Sequence, residues 1–278
     1  MTAAQVPTAA RARTQPWGHD FLNVLKSEWT KIRSIRSTYW TLLTAAVLTI
    51  GLSAIVCAVF VAQFSHLKAS DIATFNASST SLTGGILAQF AIAVFGVLVI
   101  TGEYATGMIR TTFAAVPQRL NVLWAKVVVF SVVTFGVTSA ACFVAFFIGQ
   151  GILSAKHIGV SIGAPNAVRT VIGTALYLTV LGLLSLGLGV VLRKTAGAIC
   201  AVVGVLFVVP VLAGFLPSSL DAIQKFLPSN AGQAIIDSGP HQAGATAQLA
   251  PWVGMGVFAL YAVAVLTIGA LRIERRDA

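Results

Sequence analysis

The sequence predicts an all-α integral membrane protein: six transmembrane helices preceded by an amphipathic interfacial helix, with both termini cytoplasmic. Three observations predict it. Mean hydropathy is +0.89 and charged residues make up only 9% of 278, against about 25% in soluble domains, which leaves too few polar side chains to cover a globular surface. Six stretches contain no Asp, Glu, Lys or Arg: residues 40–62, 83–101, 127–150, 170–192, 195–216 and 250–271. A helix of that length reaches about 30 Å, the hydrocarbon thickness, and only a helix satisfies its own backbone there. Of the 18 Lys and Arg, four (Lys68, Lys156, Arg169 and Lys225) fall in connections on one face, and the rest lie on the face shared by both termini. The positive-inside rule makes that face cytoplasmic, and the expected location is the plasma membrane. The formal net charge of +10 is therefore a topology signal. Nucleic-acid binding is disfavoured, because no soluble segment is long enough to build a basic surface with stacking aromatics.

Residues 1–19 read as a flexible cytoplasmic tail, without the pattern of a cleaved export signal, and residues 20–278 as a single transmembrane domain. In "HDFLNVLKSEWTKIRSIRSTYW", a helix over 20–37 with Asp20 as N-cap places Phe21, Leu22, Val24, Leu25, Trp29, Ile32 and Ile35 on one arc. Lys26, Thr30, Lys31 and Arg33 occupy the other side. A basic helix bearing Trp29, too polar to span, belongs in the headgroup layer with Lys31 and Arg33 near anionic lipid. Glu28 falls on the apolar arc, where a carboxylate needs a cation: either Lys31 locally or a residue of the connection that follows span two.

That connection, "TGEYATGMIRTTFAAVPQRLNVLWAK", residues 101–126, is the most charged interruption between two apolar runs. Met108, Ile109, Thr112, Phe113 and Val116 share one side of a short helix that Pro117 ends. From pattern alone the segment is either a turn resting on lipid or a docking element. Glu103 has two readings as well: a cap and ion pair at the helix start, with Arg110 or a neighbour, or a hinge contact to the lead-in helix.

Glu103, Gly107, the hydrophobic helix from Met108 to Val116, Pro117, Arg119 and Lys126, in that order, resemble the connection between spans two and three of ABC-2 type permeases. These are membrane subunits of ATP-binding-cassette exporters, and "GEYATGMIRTTFAAVPQR" is most similar to the actinobacterial members. Met108 departs from the Thr usual after that Gly. The resemblance covers nearly the whole chain, including the basic lead-in and a long external connection between spans five and six. It implies a permease dimerised with itself or with a second permease, each half docking an ATP-binding-cassette ATPase through the short helix. Under it, Met108, Ile109 and Phe113 form an apolar knob, with Arg110 and Arg119 as orienting charges. It also implies that ATP and Mg reside on the partner, and no G-x-x-x-x-G-K-[ST] loop, nor any Gly-Lys dipeptide, occurs in this sequence.

The charge-free spans favour an amphipathic or hydrophobic cargo (a drug, peptide or lipid) over the alternative of an ion-coupled transporter or channel, which needs titrating groups at membrane depth. In span four, Gly173, Gly182, Ser185, Gly187 and Gly189 predict close helix approach, as a dimer seam or as internal packing. Pro210 predicts a kink in span five. The segment 217–249 reads as an interfacial or re-entrant helix pair, either a gate or a lipid-surface loop. Cys57, Cys142 and Cys200 read as buried small hydrophobes. His66, His157 and His241 occur singly, with no metal-site spacing, and no catalytic motif is present, so the chain itself reads as a non-enzyme.

Overall fold

A computed structural model of the chain describes residues 17–66, 72, 75–116, 118–215, 224–236 and 249–276. Most of the N-terminal tail, Pro117, His241 and most of the segment 217–249 lie outside the described residues. The structure is all-helical, with six helices long and apolar enough to cross a membrane. These make it a multi-pass membrane protein.

The elements run α1 (Trp17–Ser34), α2 (Arg36–Gln63), α3 (Ala77–Thr80), α4 (Gly85–Ala105), α5 (Met108–Ala115) and α6 (Arg119–Leu153), followed by α7 (Ala167–Leu192), α8 (Thr195–Val203), α9 (Val209–Ala213), α10 (Pro228–Gln233) and α11 (Pro251–Arg276). The spanning helices are α2, α4, α6, α7, the α8–α9 pair and α11. Helices α2, α6, α7 and α11 overrun their charge-free stretches, α6 by the most, and α4 does so at its C-terminal end, because polar residues at a span's end continue the helix as readily as apolar ones; the α8–α9 pair stops short at Ala213. The lead-in helix differs from expectation at both ends. It starts at Trp17, so Asp20 lies within it rather than at its cap, and it stops at Ser34, where Ile35 turns extended (φ −87°, ψ 116°) before α2 begins.

Helix α7 is the centre of the bundle, packed against α4, α6, α8 and α11. Its small residues explain how. A Cβ on Gly182 would stand 2.7 Å from the Phe130 ring, on Gly187 3.0 Å from Val265, on Gly189 2.5 Å from Ile100, and on Gly173 3.0 Å from Ile235. The stripe is therefore filled by the chain's own side chains, and the internal-packing reading holds. The reciprocal approach comes from α4, where a Cβ on Gly96 would reach 2.3 Å from the Gly182 carbonyl oxygen. Close backbone approach of this kind lets dispersion contacts hold helices together where lipid removes the hydrophobic drive.

Hydroxyls inside the spans bond back to the preceding turn, as in Thr49 to Ala45 O, Thr101 to Val97 O and Ser185 to Leu181 O. The spans thus carry polar atoms without exposing them to hydrocarbon. Span five is interrupted at Gly204–Val208 by a π-helical turn just before Pro210, whose missing N–H makes a regular helix impossible there. Cys57 and Cys142 are buried, while Cys200 is exposed on α8. Between spans five and six, α10 is inserted into the bundle rather than laid on its surface: Ala231 and Ile235 are fully buried, and the Gly254 position on α11 meets the Ala231 carbonyl.

Replacing Gly96 by Ala should destabilise the protein by about 1–3 kcal/mol through overpacking. Gly136→Ala, on an exposed face of α6 with open space around it, should be neutral or stabilising by up to about 1 kcal/mol. Thermal unfolding in detergent, followed by loss of monodispersity, compares the two.

Candidate functional site

The sequence places four charged groups where three helices meet, and the structure closes them into one cluster. Glu28 comes from the middle of the buried stripe of α1, between Val24 and Ile32. Lys31 is one turn on, Glu103 lies near the end of α4, and Lys126 projects from the second turn of α6. Lys126 Nζ donates to Glu28 Oε2 at 2.5 Å and to Glu103 Oε1 at 2.8 Å. Lys31 Nζ donates to Glu28 Oε1 at 2.7 Å, to Glu103 Oε1 at 3.2 Å and to Thr112 Oγ1 of α5 at 3.3 Å. Side-chain exposure is 1% for Glu28, 2% for Lys126, 5% for Glu103 and 20% for Lys31.

Two carboxylates and two ammonium groups sum to zero formal charge, which is what a buried ionic cluster requires, since an uncompensated ion there costs several kcal/mol. Glu28 thus finds both partners that its place on the apolar arc demanded. Glu103 does not pair with Arg110 and does not cap α5, whose start at Gly107 has a left-handed backbone (φ 73°) and no side-chain cap. A cavity of about 30 Å³ is lined by the four groups together with Ser37, Thr38 and Thr41. Glu103 Oε2 is a buried acceptor to which no group among the described residues donates.

Partial burial of Lys31 by itself lowers its pKa, but the hydrogen bonds and charges of Glu28 and Glu103 outweigh it and hold the group above its ordinary value. A pKa raised on folding contributes stability that is complete below the unfolded lysine value and is lost as pH rises through the higher folded one.

The short helix α5 stands on this junction, but not with the face the sequence suggested. Ile109 is 6% exposed and belongs to the main core, and Phe113 packs beneath it against α1 and α6. The apolar knob is therefore an anchor turned inward, because the bundle offers these side chains a drier partner than solvent. Outward lie Met108, Arg110, Thr111, Ala114 and Ala115. Val116 ends the helix in an extended conformation (φ −123°, ψ 99°), which a following proline favours. Pro117 itself lies outside the described residues. On α1, Trp29 and Arg33 are exposed, turned away from the cluster.

Two cavities flank α5. One, of about 400 Å³, lies between α1 and α5 and is lined by neutral polar groups including Asn23, Ser27, Gln118 and Asn121, with Glu28 at its edge. The other, of about 780 Å³, is lined by Arg110, Arg119 and Arg193 with Tyr104 and Phe113. The Arg119 guanidinium stands 5.8 Å over the Phe113 ring, and that of Arg193 stands 5.2 Å over Tyr104. Lys126 and Thr112 were not singled out from the sequence as site residues. The signal for Lys126 was present, since it shares a helix face with the buried Val122 and Val129.

Lys126→Met should cost about 3–5 kcal/mol by leaving two buried carboxylates with one cation. Arg110→Gln, on the exposed face, should shift stability by less than about 0.5 kcal/mol. Thermal unfolding checks both. Over pH of about 7 to 9, below the ordinary lysine range, titration of Lys31 should cause no loss of stability. A more alkaline series should show a loss that Lys31→Met removes.

No curated protein matches the chain. Residues 41–278 match a family described as "Protein of unknown function (DUF2705)", and the chain belongs to that family.

Proposed function

We propose that this chain is the permease subunit of an ATP-binding-cassette exporter of the ABC-2 type, providing the transmembrane path for an amphipathic or hydrophobic cargo. One observation carries this reading. A short helix between spans two and three, with an exposed outer face, is tied through one ionic cluster to the lead-in helix and to the feet of two spans. A push on α5 is transmitted to α1, α4 and α6 together, because Lys31 touches Thr112 as well as both carboxylates, and Lys126 joins the same carboxylates from α6. That is the property needed of a part that receives force from a separate engine.

The sequence supplies the complementary fact, since it has no phosphate-binding loop of its own. In this reading both termini and α5 face the cytoplasm. Helix α1 then lies in the inner headgroup layer with Trp29 and Arg33 outward, and a second permease completes the path. The docking surface is the outer face of α5, with Met108 and Thr111 as its contacts and the polar cavity beside α1 as its margin. Phe113 and Ile109 hold the helix in place and do not touch the partner.

This reading expects an ATP-binding-cassette ATPase in the neighbouring reading frame, and coexpression with it should yield a stable complex whose hydrolysis responds to cargo. Met108→Asp or Thr111→Asp should weaken that coupling by about tenfold while the permease purifies normally. Failure of the wild-type protein to bind the ATPase, or ion-driven transport by the purified chain alone, would overturn the assignment. In a Cys200→Ala background, a thiol probe should reach Thr106→Cys only from the cytoplasm and Ser65→Cys only from outside.

A further inference from the structure

We propose that the cavity where Arg110, Arg119 and Arg193 converge binds the phosphate of an anionic membrane lipid. The cavity, of about 780 Å³, is large for a single carboxylate side chain and suits a glycerophosphate headgroup. Its depth is set by the helices around it. Tyr104 is the next-to-last residue of α4, Arg119 the first of α6, and Arg193 the residue after α7 ends. A site framed by three span ends lies at the level of the lipid phosphates.

The electrostatics favour an anion from every side. Among the described residues, no carboxylate lies within 4.0 Å of Arg110 or Arg119. The nearest acid in sequence, Glu103, is committed to Lys31 and Lys126 in the ionic cluster. At the same end Lys194 follows Arg193, and Arg272 donates to Val191 O at 2.8 Å; with Arg275 beside Glu274 on the same helix end, cations outnumber acids there. Gly107, where α5 begins without a side-chain cap, lines the same cavity, so the positive end of the helix dipole faces it. Two of the guanidinium groups lie over aromatic rings, which holds their forks in the planar arrangement that grips phosphate oxygens.

A lipid fits better than a soluble anion because the wall is amphipathic. Tyr104 and Phe113 line the cavity beside the arginines, and Leu192, just before Arg193, is 40% exposed and continues the apolar surface. This inference does not depend on an ATPase partner; it needs only that the spans end at the bilayer surface.

The test uses the purified full-length chain in neutral detergent, given phosphatidylglycerol or phosphatidylcholine, with bound lipid counted by native mass spectrometry. The wild type should retain phosphatidylglycerol in preference. Arg110→Gln, whose exposed side chain has no partner to lose, should reduce that preference by about fivefold, and Arg110→Gln with Arg119→Gln by more. Arg36→Gln with Lys156→Gln, which removes exposed cations elsewhere, should leave it unchanged. Equal loss in both sets, or no preference in the wild type, overturns the site. Displacement of phosphatidylglycerol by inorganic phosphate alone at matched concentration overturns the lipid assignment in favour of a soluble anion, and displacement by an acidic peptide does so in favour of a protein partner.

Discussion

The fold at one end of this bundle depends on a neutral ionic cluster in a place that excludes water. Glu28, Lys31, Glu103 and Lys126 come from three helices, and the burial of Glu28, Glu103 and Lys126, with Lys31 at the partly exposed margin, is tolerable because their charges balance. In a medium of low dielectric a lone charge is costly, while a balanced set with hydrogen bonds is tolerated. The cluster therefore acts less as glue than as a condition of registry. Slide α6 by one turn and Lys126 leaves both carboxylates, so the angular and axial position of α1 against α4 and α6 is specified in a way that aliphatic packing alone would not achieve.

At the other extreme of physical chemistry, the body of the bundle is organised by absence of side chains. The glycines of α7 let α4, α6 and α11 approach close to its backbone, with contacts such as Gly182 against Phe130 and Gly187 against Val265. One end of the molecule is thus fixed by charge complementarity and the middle by shape. The two regimes meet at α4, which carries both Gly96 and Glu103 and so connects the tight core to the ionic junction.

Much of this was legible in the sequence. The six spans follow from charge-free length, because the bilayer imposes a single thickness on every one of them. Glu28 on an apolar arc demanded a cation, and the small residues of span four demanded close neighbours. Less legible was the direction of α5. Its apolar side chains predicted a knob, but periodicity gives a face and not what the face meets, and Ile109 and Phe113 found the bundle before any partner. The break at Ile35 was hidden because Ser34, Ile35 and Arg36 carry no turn signal, so the change of direction there is a tertiary effect. The insertion of α10 was equally out of reach, since its small and polar residues, with Ile235 just beyond them, fit a surface helix as well as a buried one.

The joint at Ile35 has a mechanical meaning. Only one residue separates the lead-in helix from the first span, and a trans peptide leaves just two soft torsions per residue. Such an elbow permits the two rods to change their mutual angle but hardly their separation. Any displacement of the end of the lead-in helix must then be handed to the start of the first span, as by a pinned linkage, rather than being absorbed as slack.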